Sequence, residues 1–197
     1  MKKVFLMAVL LSAGIYSQAQ IKYGLKAGAN FYKVTGDDAE ELEQSRKTKV
    51  GLAGGAFVNF SLSETFSVQP ELLYSQEGNK QKEGDASLNL KLNYINIPVM
   101  LQYNASGFYG ETGPQLGFLT SAKFKTKSGD EEEETDVKEG FKSINLSWAI
   151  GLGYKLSNGL GIGARYNLGI SNIADAEEAS LKSSGFHIGL SYTFGSK

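Results

Sequence analysis

Apolar and polar side chains alternate with period two along most of this chain, which restricts the fold to a sheet. Phe186, Ile188, Leu190, Tyr192 and Phe194 alternate with His187, Gly189, Ser191 and Thr193. Successive strand residues leave opposite faces, so the run has one apolar and one polar side. Leu160, Ile162, Ala164, Tyr166, Leu168 and Ile170 repeat the pattern, as do Ile144, Leu146, Trp148, Ile150, Leu152, Tyr154 and Leu156. Upstream come Ile95 to Tyr103, Phe66 to Tyr74, Val50 to Phe60 and Tyr23 to Phe31. Phe108 to Lys123 follows it less cleanly, with Leu116 and Phe118 on the apolar side. These runs predict eight strands of about ten residues or more, the length that crosses a bilayer at a tilt.

The connections alternate as well. Lys33–Lys49, Glu77–Ser87, Lys125–Lys142 and Ser171–Ser184 read as long loops. Between them fall short turns at Leu62-Ser63-Glu64, Asn104-Ala105-Ser106-Gly107 and Ser157-Asn158-Gly159, the last with an Asn-Gly hairpin signal. Up-and-down closure puts every long loop at one rim and every short turn, with both termini, at the other. Outer-membrane barrels have that asymmetry, with short turns in the periplasm. The expected fold is all-β: a monomeric, eight-stranded, antiparallel up-and-down transmembrane β-barrel over residues 20–197, with outer-membrane lipid around it.

A soluble eight-stranded barrel has the same alternation with its apolar face inward. The polar face argues for the membrane form. It is rich in Gly, Ser and Asn, and its charges are few: Lys22, Lys26, Glu71, Glu111, Lys155 and Arg165. Small residues suit the narrow lumen of eight strands. The apolar face carries aromatics near strand ends, among them Tyr23, Phe66, Tyr103, Tyr154 and Phe194, as interfacial girdles require.

The N-terminus is consistent with export. Lys2 and Lys3 precede an apolar run, Val4–Leu11, and Ser17-Gln18-Ala19 offers small residues for cleavage after Ala19. Residues 1–19 are thus expected to be a signal peptide. The chain has no Cys, which excludes lipobox anchoring, disulfides and thiolate metal sites. Removing the two signal lysines leaves 18 basic against 21 acidic residues, a balance that argues against a nucleic-acid partner.

Five segments carry a family likeness: Gly24-Leu25-Lys26-Ala27-Gly28 with Asn30-Phe31; Val68-Gln69-Pro70-Glu71-Leu72-Leu73-Tyr74-Ser75-Gln76; Tyr94-Ile95-Asn96-Ile97-Pro98; Gly113-Pro114-Gln115-Leu116-Gly117; and Gly161 to Gly169. In their order and spacing they resemble the PorT-type outer-membrane β-barrel family over nearly the whole mature length. The resemblance implies an outer-membrane barrel, and it suggests an envelope or secretion-machine protein as partner. Asn145 stands where such proteins often carry Asp, and Gly195-Ser196-Lys197 follow the final aromatic residue.

Lys26, Glu71, Glu111 and Arg165 fall on the polar face, each about four to seven residues above the short-turn end of its strand, so strand rise allows them one level. Two acids and two bases there predict a structural polar network that fills the lumen, with a proton or ion path as the alternative. Glu71 and Glu111 lack the other parts of a catalytic pair. His187, the single imidazole, belongs to no hydrolase motif and is expected in or near the lumen. No catalytic residue, metal ligand or cofactor is therefore expected. The acidic run Gly129–Asp136 lacks the alternating ligands of a calcium loop and reads as a solvated loop. Asp37 to Arg46 has room for a helical turn or two. Pro70, Pro98 and Pro114 sit inside strands, where each removes a ladder hydrogen bond, so bulges or a kink are expected there. Three functions remain open: a non-enzymatic barrel displaying loops or docking to an envelope machine, a minor porin, and a lipid-modifying enzyme.

Overall fold

The computed structural model describes residues 20–36, 46–83, 86–128, 131–176 and 180–195. The expected signal peptide, residues 1–19, lies outside the described residues. So does most of the segment expected to form a helical turn, although Arg46 itself opens a strand. Nine strands follow in order: β1 Ile21–Gly36, β2 Arg46–Ser61, β3 Phe66–Glu83, β4 Ala86–Ala105, β5 Phe108–Ser128, β6 Glu131–Asp136, β7 Ile144–Lys155, β8 Leu160–Gly169 and β9 Leu181–Thr193. Eight of them close an antiparallel ring, β1 to β5, then β7, β8 and β9, which pairs back onto β1 from Gly24↔Thr193 to Gly36↔Leu181. The ninth, β6, pairs with β5 alone.

The alternation sorts as the sequence predicts. Leu25, Leu52, Leu72, Val99, Ile150, Leu152, Ile162 and Leu190 face outward and are exposed, whereas Lys26, Glu71, Asn96, Gln102, Glu111, Ser147, Arg165 and His187 are buried inside the ring. Apolar surface of this extent fits a lipid environment and not water. Trp148 faces lipid with a polar nitrogen. Its indole N–H donates to Thr112 Oγ1 (2.9 Å), and the Thr112 hydroxyl donates to the Ala149 carbonyl (3.0 Å), so neither polar group is left unpaired. Three aromatic pairs mark the short-turn rim: Tyr23–Phe194 at 5.5 Å, Phe66–Tyr103 at 5.3 Å and Phe108–Tyr154 at 4.7 Å.

Two of the expected long loops are instead strand. β3 and β4 run on as a pair through Glu83↔Ala86, beyond the point where Glu77–Ser87 was expected to leave the sheet. The acidic run, expected to be a solvated loop, is a strand from Glu131 to Asp136, paired with Lys123–Ser128 of β5. The pairing partners supply the reason. Lys123, Lys125 and Lys127 lie directly opposite Asp136, Glu134 and Glu132, and opposite charges across a ladder attract.

The prolines do not create bulges. The β2–β3, β3–β4 and β4–β5 ladders keep their register past Pro70, Pro98 and Pro114. Two residue pairs lapse beside each proline, for example between Phe57↔Glu71 and Phe60↔Val68. A missing N–H interrupts pairing without adding a residue. The register shifts elsewhere: in β2 between Thr48 and Ala53, and in β4–β5 beside Asn93, where Tyr94↔Leu119 and Asn93↔Ser121 leave Thr120 unpaired. The Thr120 hydroxyl donates to the Asn93 carbonyl (2.9 Å). This extra residue reverses the faces of β5, so Leu119 and Ala122 both point inward. It accounts for the untidy pattern of this strand in the sequence.

An apolar cluster closes the long-loop end of the lumen. Val34, Leu92, Tyr94, Leu119 and Ala122 from the wall meet Ile173 from the segment after β8, with Leu90, Val137, Phe141 and Leu181 packed against them. Backbone bonds hold Ile173 in place: its N–H donates to the Leu181 carbonyl (2.8 Å), and its own carbonyl accepts from Lys142 N (2.9 Å).

Candidate functional site

The structure brings Lys26, Glu71, Glu111 and Arg165 together inside the barrel. Cross-strand register explains half of the arrangement. Gln102, Glu111, Gly151, Arg165, His187 and Asn30 are consecutive register partners across β4, β5, β7, β8, β9 and β1. Gly151 stands between Glu111 and Arg165 in that row. A Cβ there would lie 2.8 Å from the Ala164 carbonyl oxygen and 3.1 Å from Glu111 Oε1, so its bare backbone lets the guanidinium reach the carboxylate. Lys26, lower on β1, and Glu71, on β3, lie outside that row and complete the group.

All four charges are satisfied. Arg165 Nε donates to Glu111 Oε1 (2.8 Å), while Nη1 and Nη2 donate to Glu71 Oε2 (3.0 Å) and Oε1 (2.8 Å) as a two-pronged fork. Lys26 Nζ lies 2.8 Å from Glu71 Oε1, which also accepts from Gln69 Nε2 at 2.8 Å. Such pairing is what makes burial of ions tolerable, and a planar guanidinium is the cation best shaped for two carboxylates.

The sequence reading missed several members. Gln102 Nε2 donates to Glu111 Oε2 (2.9 Å), and Gln102 Oε1 accepts from Lys155 Nζ (2.9 Å) and Asn59 Nδ2 (3.1 Å). The network thus continues toward the short-turn rim. Period two already put Gln69 and Gln102 on the same face as the acids; only the register, Gln102 opposite Glu111, shows which neighbours they meet. The sequence pattern places Glu77 at the start of a loop. It is buried in β3, where it accepts from Ser183 Oγ (2.8 Å), Ser75 Oγ (3.1 Å) and Asn96 Nδ2 (3.3 Å).

His187 is buried in the lumen, its Nδ1 2.9 Å from Asn30 Oδ1. A hydrolase imidazole needs a nucleophile beside it and an orienting acid behind it, and the partner here is an amide. Among the described residues no group of three or more His, Asp or Glu side chains is placed to hold a metal ion.

From the short-turn rim upward, the lumen therefore has four levels. A polar vestibule of about 500 Å³ is lined by Lys22, Asn59, Gln69 and Lys155, among others. The ion network follows, then an amide layer with Asn30, Ser75, Asn96 and Glu77, and finally the apolar cap.

Solved structures share this architecture. Neisserial surface protein A is 13% identical, with 87% of this chain and 97% of that one covered at a TM-score of 0.56. Ail, the attachment invasion locus protein of Yersinia pestis, solved with the heparin analogue sucrose octasulfate, is 16% identical, with coverage of 89% and 99% and a TM-score of 0.50. At such identity the likeness shows the fold alone. Among curated proteins, none matches the chain. Residues 16–175 match the family described as outer membrane protein beta-barrel domain. The match covers most of the chain, as far as the segment after β8, and the chain accordingly belongs to that family and is a protein of the outer membrane.

Proposed function

We propose that this protein is a non-enzymatic, non-conducting outer-membrane barrel that displays its β3–β6 extensions outside the cell and works as a structural or envelope-machine-associated component. The observation that carries this reading is the double closure of the lumen. A fully paired ion network spans it below, and the Ile173 cluster fills it above. Eight strands enclose only enough space for side chains. The PorT-type likeness of the wall segments supports an envelope protein as partner, with the barrel itself monomeric in outer-membrane lipid. The interior position of His187 argues against the lipid-modifying alternative, because an acyl chain would have to reach it through the wall. Crosslinking in native outer membranes, followed by recovery of the barrel, tests the association. A reproducible envelope protein attached through the extensions or the periplasmic rim is the expected result. Recordings in planar bilayers test the porin alternative: stepwise conductance from the wild-type barrel overturns the closed reading.

A further inference from the structure

We propose that the periplasmic vestibule is a binding site for a phosphate-bearing ligand, with Lys155 and Lys22 as its cationic contacts. The cavity, at about 500 Å³, has the size of a small-molecule site. Its charge is not balanced from within. At its inner end Lys26 and Arg165 are neutralised by Glu71 and Glu111. Lys155 has no carboxylate partner among the described residues. Its ammonium donates to Gln102 Oε1 (2.9 Å) and Asn104 Oδ1 (3.3 Å) and lies 4.7 Å from the Tyr109 ring centroid. Amide oxygens and a ring face satisfy its geometry without adding a negative charge beside it. Lys22 lines the same cavity and also forms no ion pair with a described residue. Glu64, the acid in the lining, sits exposed in the β2–β3 turn. Two ammonium groups without an ion-pair partner among the described residues, with the Ser157 and Thr193 hydroxyls at the rim, favour an anion that presents several oxygens at once.

The wall beside the vestibule bears on the source of that phosphate. Pro70 interrupts the β2–β3 ladder at Val58/Pro70 and Asn59/Gln69, and Asn59 and Gln69 line the cavity. A side-chain bond, Asn59 Nδ2 to Gln69 Oε1 at 3.1 Å, spans the lapse. The lapse lies close to Phe60 and Phe66, at the level where an aromatic girdle meets lipid headgroups. The phosphate is therefore either that of an inner-leaflet lipid headgroup or that of a soluble periplasmic ester.

The test is calorimetric titration of the folded barrel in octyl glucoside, with inorganic phosphate in one arm and short-chain dihexanoyl phosphatidylglycerol in the other. Saturable binding is expected, weakened about tenfold or more by Lys155→Gln and by Lys22→Gln, since loss of one charge-assisted contact to phosphate amounts to roughly a factor of ten in affinity. Tighter binding of the lipid assigns the site to a headgroup; equal or tighter binding of inorganic phosphate assigns it to a soluble ligand. Absence of saturable heat in both arms overturns the proposal, as does acetate binding as tightly as phosphate. Affinity unchanged in both lysine variants also overturns it. Lys22→Gln, which breaks none of the Lys155 hydrogen bonds to Gln102 and Asn104, keeps the test decisive if Lys155→Gln does not fold, and the heat-dependent gel mobility of each variant reports folding independently.

Discussion

Two sets of opposite charges, both pairing basic side chains with glutamates, lie at different heights in this molecule. In the lumen, Arg165 and Lys26 meet Glu71 and Glu111 with every side chain at most a tenth exposed. On the β5–β6 hairpin, Lys123 and Lys125 meet Glu132 and Glu134 with side chains a quarter to a half exposed. Distances do not separate them, since Lys125 Nζ is 2.6 Å from Glu132 and Arg165 Nη2 is 2.8 Å from Glu71. Solvent does. Water screens the outer set and solvates any member that loses its partner, so an exposed pair contributes little. Inside, a partner removed leaves a bare charge in a low-dielectric space. The lumen set thus holds the barrel in one arrangement, whereas the hairpin set tunes the persistence of a protruding element.

The largest effect expected is that of Arg165→Ala, which leaves Glu111 without a cation and Glu71 with Lys26 alone and should lower stability by about 3–5 kcal/mol, read by urea unfolding of the barrel in lipid vesicles. A loss of only a few tenths would erase the contrast between the two regions. Arg165→Lys should recover only part, because a lysine cannot bridge Glu71 and Glu111 with a planar fork. Next comes Gly151→Ala, whose methyl group crowds Glu111 Oε1 and the Ala164 carbonyl. About 1–3 kcal/mol of overpacking is expected in the same assay, and an unchanged midpoint would mean that the row tolerates a side chain there. Smaller still, Lys125→Ala should leave global unfolding untouched and speed amide exchange in β6; slowed or unaltered exchange would remove the ladder from any role in holding the hairpin.

The smallest effect is the pH response of the hairpin. The hydrogen bond from Lys125 holds the Glu132 carboxyl below its ordinary value of 4.5, and the bond to Glu132 holds the Lys125 ammonium above 10.5. A lowered acid stabilises above its unfolded value and loses that contribution as pH falls. A raised base stabilises below its unfolded value and loses it as pH rises. Protection of the β6 amides relative to their intrinsic exchange rate should therefore be greatest between these limits and fall on the acid side of 4.5 and the alkaline side of 10.5. Exchange that shows only the intrinsic pH trend of an unprotected amide would contradict this.

The wall was legible in the sequence because lipid imposes one simple pattern: apolar residues at every second position. The extensions were not. Once β5 rises out of the membrane it carries Lys123, Lys125 and Lys127 on one face with Phe124 and Thr126 on the other, and no apolar stripe distinguishes it from a loop. The unpaired Thr120 reverses its faces at the same place. In the lumen, strand rise alone put Lys26, Glu71, Glu111 and Arg165 near one level. The contributions of Gln69, Gln102 and Glu77 depend on which residue lies opposite, and register is a property of two strands together.

The join between β1 and β9 sets a limit on assembly. Residue 24 pairs with residue 193, so the ring cannot shut until almost the whole chain has arrived. Arg165 meets Glu71 across 94 positions, which places neutralisation of the acids late as well. Before that, the growing sheet has a charged inner surface and two open edges, β1 and the newest strand. Contacts of such long sequence separation form slowly, because the entropy of closing the chain must be spent before they return any energy. The barrel is consequently a structure whose last strand, and not its first, commits it to a single state.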